Sequence, residues 1–238
     1  MAENKRVKKT LGVVLAGGKG NRFTSETPKQ FLELAGKPVF IHSALAFEHS
    51  PHIDGIALVV PAGKEDDIAA TLARFGVTKT VAVVCGGAER QDSVKAALTV
   101  AAQGDFDTVL LHDAARPLLA GDVIARLCDA LKTYRAATAA LPVTDTVAVT
   151  ENGETIAAVP DRKTLWQVQT PQGFDLYTLQ EAYCRLDPSI LAACTDDCGV
   201  IRAFLPEEPV ALVPGDRKLL KLTYPQDFAV LTALCDCD

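Results

Sequence analysis

The sequence predicts an α/β fold: an open, mostly parallel, Rossmann-like, doubly wound sheet carrying one projecting β-hairpin arm. Three observations carry this. Apolar runs of strand length alternate with segments of helical period. Several runs end in glycines, as strand-to-helix turns do. The chain has 238 residues, 48% hydrophobic and 23% charged, enough for one well-packed domain over 1–238 without disulfide or metal staples.

The strands come first. Leu11–Ala16 is a short apolar run ending in glycines, and Ile56–Val60 is the second. Val81–Cys85 follows and leads into Gly86-Gly87. Thr108–Leu111 leads into His112-Asp113, and Thr138–Val143 and Val210–Val213 complete the set. Unbroken apolar runs suit strands buried on both faces of a parallel sheet. Between them, 41–49, 64–75, 92–102 and 122–132 read as helices, and so do 175–185 and 226–234. Pro225 suits the first turn of the last helix. Right-handed crossovers then place ligands at the carboxyl ends of the strands. From Asp145 to Gln169 the alternation breaks. Thr146–Thr150 and Thr155–Val159 flank Asn152-Gly153 and read as a hairpin, an arm at about 144–165.

Composition excludes some functions. The net charge of −6 argues against nucleic-acid binding, which needs an excess of cations. No stretch approaches the roughly 20 apolar residues of a membrane span. The polar, basic start lacks the apolar core of a secretory signal. The seven cysteines are odd in number and form no zinc-knuckle spacing, so free thiols in a reducing cytoplasm are expected. Small phosphorylated ligands stay open, because a local basic pocket is compatible with an acidic chain.

The strongest local signal is L-A-G-G-K-G-N-R-F, residues 15–23, after the first strand. Gly17, Gly18 and Gly20 let backbone N–H groups approach an anion. The loop lacks the G-K-S/T of a P-loop, and Phe23 stands where G-x-G-x-x-G needs glycine. Lys19, Arg22 and Lys29 follow closely and suit a polyphosphate. Arg22 and Lys29 are the functional candidates, and Lys19 is read as a surface charge.

These motifs recur with others in a known order. T-P-K-Q-F, G-G-A-E-R-Q-D-S-V, H-D-A-A-R-P, V-T-D-T-V, R-K-T-L-W-Q-V-Q-T-P-Q-G-F and G-D-R-K-L-L-K-L-T follow the glycine loop. From about Leu11 to Phe228 the chain resembles the 2-C-methyl-D-erythritol 4-phosphate cytidylyltransferases, which have the nucleotide-diphospho-sugar transferase type of sheet. The resemblance implies transfer of CMP from CTP to a polyol phosphate, with release of diphosphate, on a non-mevalonate isoprenoid route. The attacking phosphate is mostly dianionic at pH 7, so no general base is needed, and charge stabilisation is.

By resemblance, Arg22 and Lys29 stabilise the nucleotide phosphates, and Arg162 and Lys221 orient the acceptor phosphate. Ala16, Gly17, Gly18, Gly20, Gly87 and Ser93 belong to the nucleotide site. Ala114, Arg116, Thr146, Thr170 and Thr195 join the substrate contacts, with Arg116 either touching substrate or bracing Asp113. Asp113 is expected to face a Mg²⁺. His112 is expected to pack behind its loop, and Trp166 in the core beside Arg162. Ala88 departs from the family, which often carries an acidic residue there, so a side-chain contact is lost while a backbone one survives. The family arm crosses to a second subunit, which implies a homodimer. A marginal two-stranded ribbon also wants a surface to pack on.

Three other readings compete. Ribitol-5-phosphate cytidylyltransferase shares the chemistry. A non-catalytic nucleotide-binding regulator would dispense with Arg22, Lys29, Arg162 and Lys221, all of which are present. A glycosyltransferase would carry a D-x-D metal site, but Asp105-Phe106-Asp107 precedes its strand instead of ending it.

Overall fold

A computed structural model of the chain describes residues 8–18 and 28–235. Its centre is a seven-stranded sheet. The strands are β1 (Thr10–Leu15), β4 (Gly55–Val60), β5 (Thr80–Cys85), β6 (Thr108–Asp113), β7 (Ala136–Pro142), β8 (Trp166–Asp175) and β9 (Val210–Pro214). A separate two-stranded ribbon joins β2 (Glu33–Leu34) to β3 (Lys37–Pro38). The sheet order is β5-β4-β1-β6-β8-β7-β9. Only β8 runs antiparallel to its neighbours, β6 and β7, so the sheet is mostly parallel, as expected.

Among the described residues stand eight α-helices: α1 (Val39–Glu48), α2 (Glu65–Arg74), α3 (Arg90–Gln103), α4 (Gly121–Ala130), α5 (Leu176–Arg185), α6 (Pro188–Ala193), α7 (Asp197–Phe204) and α8 (Pro225–Cys235). All six expected helices and all six expected strands form, with no end shifted by more than two residues. β8 was not foreseen because it reads Trp-Gln-Val-Gln-Thr-Pro-Gln-Gly-Phe-Asp, with three glutamines and a proline. Its Gln169, Thr170 and Gln172 are buried polar residues. α7 was missed for its shortness; it starts where Asp196 accepts the Gly199 amide at 2.8 Å.

The sheet is doubly wound. One face packs Val14, Ile56, Leu58 and Leu110 against Phe47, Leu72, Ile124 and Leu127 of α1, α2 and α4. The other packs Leu11, Val13, Val59 and Leu111 against Val94, Leu98, Leu179 and Ile201 of α3, α5 and α7. Successive strand residues point to opposite faces, so both sets being apolar is why β1, β4 and β6 read as unbroken runs. Gly12 in β1 is required by this packing: a Cβ there would sit 2.8 Å from the Phe47 ring. β1 lies between β4 and β6, and chain crossovers leave it in both directions. This is the switch point that opens a crevice at the strand ends.

The arm differs from expectation. The two runs around Asn152-Gly153 meet in one antiparallel bridge, Val149 with Ala158, and not in two strands. The Asn152 carboxamide closes the turn by accepting from the amides of Glu154 and Thr155 at 2.9 and 3.0 Å. A ribbon open to solvent on both faces has no packing to extend its ladder. Trp166 also corrects the sequence reading. It is 43% exposed, not in the core. It starts β8 opposite Pro142, at the end of the β7–β8 pair from which the arm departs. Among the described residues no helix is long and apolar enough to cross a membrane.

Candidate active site

The crevice is a cavity of about 520 Å³. Its floor is the end of β1, Leu15–Gly18, and the end of β6, Asp113–Ala115. One wall is the loop after β5, Gly87–Arg90, with Ser93 of α3. Lys29, Gln30 and Lys221 form the other side. Ala16, Gly17, Gly18, Gly87, Ser93, Ala114, Lys29, Lys221 and Asp113 are therefore brought together, as expected. Gly20 and Arg22 lie outside the described residues, as does Lys19.

Local structure explains each placement. Gln30 is buried, and its amide donates to the Ala16 carbonyl at 2.7 Å and the Gly18 carbonyl at 3.1 Å. It holds the start of the glycine loop from below. Gly87 must be glycine, because a Cβ would fall 2.2 Å from Cβ of Asp92. Asp92 itself closes a capping box with Glu89 at the start of α3, which fixes the turn. The Ala114 amide is spent on the Leu15 carbonyl at 3.1 Å, tying β1 to the Asp113 loop.

Asp113 is the electrostatic centre. Its Oδ2 accepts from Lys221 Nζ at 2.7 Å and lies 4.0 Å from Arg116 Nε. Burial alone would raise its pKa, but Lys221 and Arg90 outweigh burial and hold the carboxyl well below its ordinary range. Arg116 donates Nη1 to the Leu219 carbonyl at 2.7 Å. Its side chain is 11% exposed, so it braces Asp113 and the Leu219 segment.

Thr170 is tied into the loop that carries Asp113. It is buried in β8, and its hydroxyl accepts from the Asp113 amide at 3.1 Å. The same oxygen lies 3.0 Å from Nδ1 of His112, whose Nε2 lies 3.0 Å from the Arg116 carbonyl. The geometry defines one proton pattern: Thr170 O–H donates to Nδ1, and Nε2–H donates to the carbonyl. Burial pushes the His112 pKa down to about 4, so the imidazole is neutral at pH 7. His112 is thus sealed behind the loop, as expected, and Thr170 positions Asp113 from behind.

Three expected residues stand away from the cavity. Arg162 is exposed at the foot of the arm and donates Nη1 to the Thr144 carbonyl at 2.7 Å. Thr146 is exposed on the arm, and Thr195 is exposed just before α7. Sequence reasoning in turn passed over Arg90 and Gln30. The signal for Arg90 was there, a cation directly after a Gly-Gly turn. The signal for Gln30 was its place beside Lys29.

Among the described residues no three His, Cys, Asp or Glu side chains stand together as a metal cage. Mg²⁺ does not need one. It binds through one or two carboxylates, waters and substrate phosphates, and Asp113 supplies one carboxylate on the cavity floor. The donor set fits that mode.

Comparisons with known proteins agree with this architecture. The family model for 2-C-methyl-D-erythritol 4-phosphate cytidylyltransferase matches residues 11–236. The enzyme of that name from Thermobifida fusca is 42% identical over 231 residues, covering 95% of this chain and 93% of its own. The crystal structure of 4-diphosphocytidyl-2C-methyl-D-erythritol synthase from Anaerococcus prevotii superposes with a TM-score of 0.83 at 25% identity, over 96% of this chain and 99% of that one. A bifunctional ribulose 5-phosphate reductase/CDP-ribitol pyrophosphorylase of Haemophilus influenzae is 35% identical over 229 residues, 95% of this chain but 48% of its own length.

Proposed function

The chain belongs to the 2-C-methyl-D-erythritol 4-phosphate cytidylyltransferase family, and from that membership we propose how its own residues carry the reaction. It transfers CMP from CTP to 2-C-methyl-D-erythritol 4-phosphate, giving 4-diphosphocytidyl-2-C-methyl-D-erythritol and diphosphate in the non-mevalonate route to isoprenoids. One observation carries the mechanism. The cavity joins a glycine turn to Lys29, Lys221 and Asp113, and its one adjacent imidazole is buried, neutral and turned away. Such a site offers charge and position, not a base.

An oxygen of the acceptor phosphate attacks the α-phosphorus of CTP, and the bond to the diphosphate breaks. The acceptor is already dianionic near pH 7. Lys29, with Arg22, balances the negative charge that grows on the α-phosphate and on the leaving diphosphate. Lys221 leaves Asp113 for the acceptor phosphate, where Arg162 of a partner subunit meets it. Asp113 would hold Mg²⁺, which when bound offsets phosphate charge and orients the triphosphate. The loop around Gly87 and Ala88 faces the base and ribose, with backbone groups in place of the acidic side chain common at that position in the family.

The arm supports the homodimer. Val147, Val149, Ile156, Val159 and Trp166 are all at least 40% exposed. An apolar patch of this kind on a ribbon with one bridge marks a covered surface. Removing residues 146–159 is expected to give a mostly monomeric, inactive chain by light scattering and turnover. A fully active monomer would contradict the arm's role. Cys85, Cys128, Cys184, Cys194 and Cys198 are free thiols, which fits the cytoplasm as its compartment.

The substrate assignment is tested by diphosphate release from CTP and Mg²⁺ with each acceptor. Turnover with the methylerythritol phosphate far above that with ribitol 5-phosphate is expected. Turnover with ribitol 5-phosphate alone would overturn it.

A further inference from the structure

Arg90 is the cation that the mechanism above leaves without a task. It sits at the first turn of α3, in the wall of the cavity. Its Nη2 donates to Asp197 Oδ2 at 2.6 Å across 107 residues of sequence. The pair is lopsided. Asp197 is 0% exposed, whereas the Arg90 side chain keeps 34% of its surface. Asp197 spends its other oxygen on the Tyr183 hydroxyl, and its amide donates to Gln172 at 3.2 Å. Among the described residues, Arg90 spends one guanidinium N–H there and holds the rest of its fork at the cavity wall. An aspartate buried this fully, held at both carboxylate oxygens and at its backbone amide, is a mount for the arginine.

We propose that Arg90, aimed by Asp197, binds a hydroxyl group of a substrate in this cavity. Charge distinguishes a hydroxyl from a phosphate. The Arg90 wall carries Glu89 and Arg90, with the buried Asp197 behind them, a local balance of one negative charge. On the opposite side stand Lys29, Lys221 and Asp113, a balance of one positive charge. Phosphates therefore go to the lysines. The compensated guanidinium, with donors to spare, suits a neutral acceptor such as a hydroxyl oxygen. Both substrates of the proposed reaction carry hydroxyls, the ribose of CTP and the polyol chain. The inference rests on that reading of the cavity. Arg90 would touch substrate, and Asp197 is a positioning residue that acts through it.

Arg90→Lys keeps a cation beside Asp197, so no buried charge is orphaned, but it loses the planar fork. Asp197→Asn keeps the shape and loosens the mount. In each variant the KM of one substrate should rise about tenfold, the scale of one lost charged hydrogen bond, with kcat within about threefold. CTP and 2′-deoxy-CTP separate the two sources. If the ribose is the ligand, KM for CTP rises and the wild-type preference for CTP over 2′-deoxy-CTP disappears. If the polyol is the ligand, its KM rises and that preference survives. Either result, shared by both variants, supports the proposal. Unchanged KM values for both substrates with only a lowered Tm would make the pair structural and overturn it. So would a fall in kcat alone, which would place Arg90 on transition-state charge. Wild-type protein with no transferase activity would instead count against the proposed function.

Discussion

Lys29→Ala is expected to lower kcat by at least about a hundredfold while changing KM for CTP only modestly, because its charge counts most in the transition state. Lys29 follows Pro28 in a short 3-10 turn, and its ammonium donates to the Leu222 carbonyl in the ground state. That bond joins Lys29 to the segment carrying Lys221 and keeps the ammonium at the cavity edge. Gln30 next to it is locked under Ala16 and Gly18, so the backbone of the turn does not move when the side chain is lost. A variant with near-normal kcat in steady-state assays would remove Lys29 from the chemistry.

Arg162→Ala should be almost as damaging, by a different route. KM for the polyol phosphate should rise and kcat should fall, with a combined loss in kcat/KM of about a hundredfold and CTP affinity unchanged within a few fold. Arg162→Lys should still lose about tenfold, because lysine cannot offer two parallel N–H donors to one phosphate. The physical basis is where Arg162 stands. It is exposed, held by the Thr144 carbonyl at the arm's foot, and absent from the lining of its own chain's cavity. Equal loss of CTP and polyol affinity would contradict this assignment.

The sheet was legible because β1, β4 and β6 are buried on both faces, which leaves unbroken apolar runs in the sequence. β8 was not, because its buried positions include Gln169, Thr170 and Gln172, which hydrogen-bond to Asp216, Asp113 and Asp196, far away in sequence, in a way that no periodicity reveals. The site shows the same division. Residues whose type announces chemistry stood out: the glycines, Lys29, Asp113 and Lys221. The partners of Thr170 within the chain, His112 and the Asp113 amide, lie more than fifty residues away in sequence, where no local motif shows them. Arg90 was passed over for the same reason, since its meaning depends on Asp197. Trp166 failed in the opposite direction. A large aromatic is normally core, but here it stands 43% exposed where the arm leaves the sheet.

The exposed arm leads to the central claim of the proposed function, that each site is completed by a cation from the partner subunit. Mixing Lys29→Ala chains with Arg162→Ala chains under subunit exchange tests it. If each cavity borrows Arg162 from its partner, a heterodimer has one site with both lesions and one with neither. Equal mixing then makes half the dimers mixed, and activity should return to about a quarter of the wild-type level although both parents are nearly inactive. Heterodimers that form and remain inactive would mean that Arg162 serves its own subunit, and the shared-site account would be wrong.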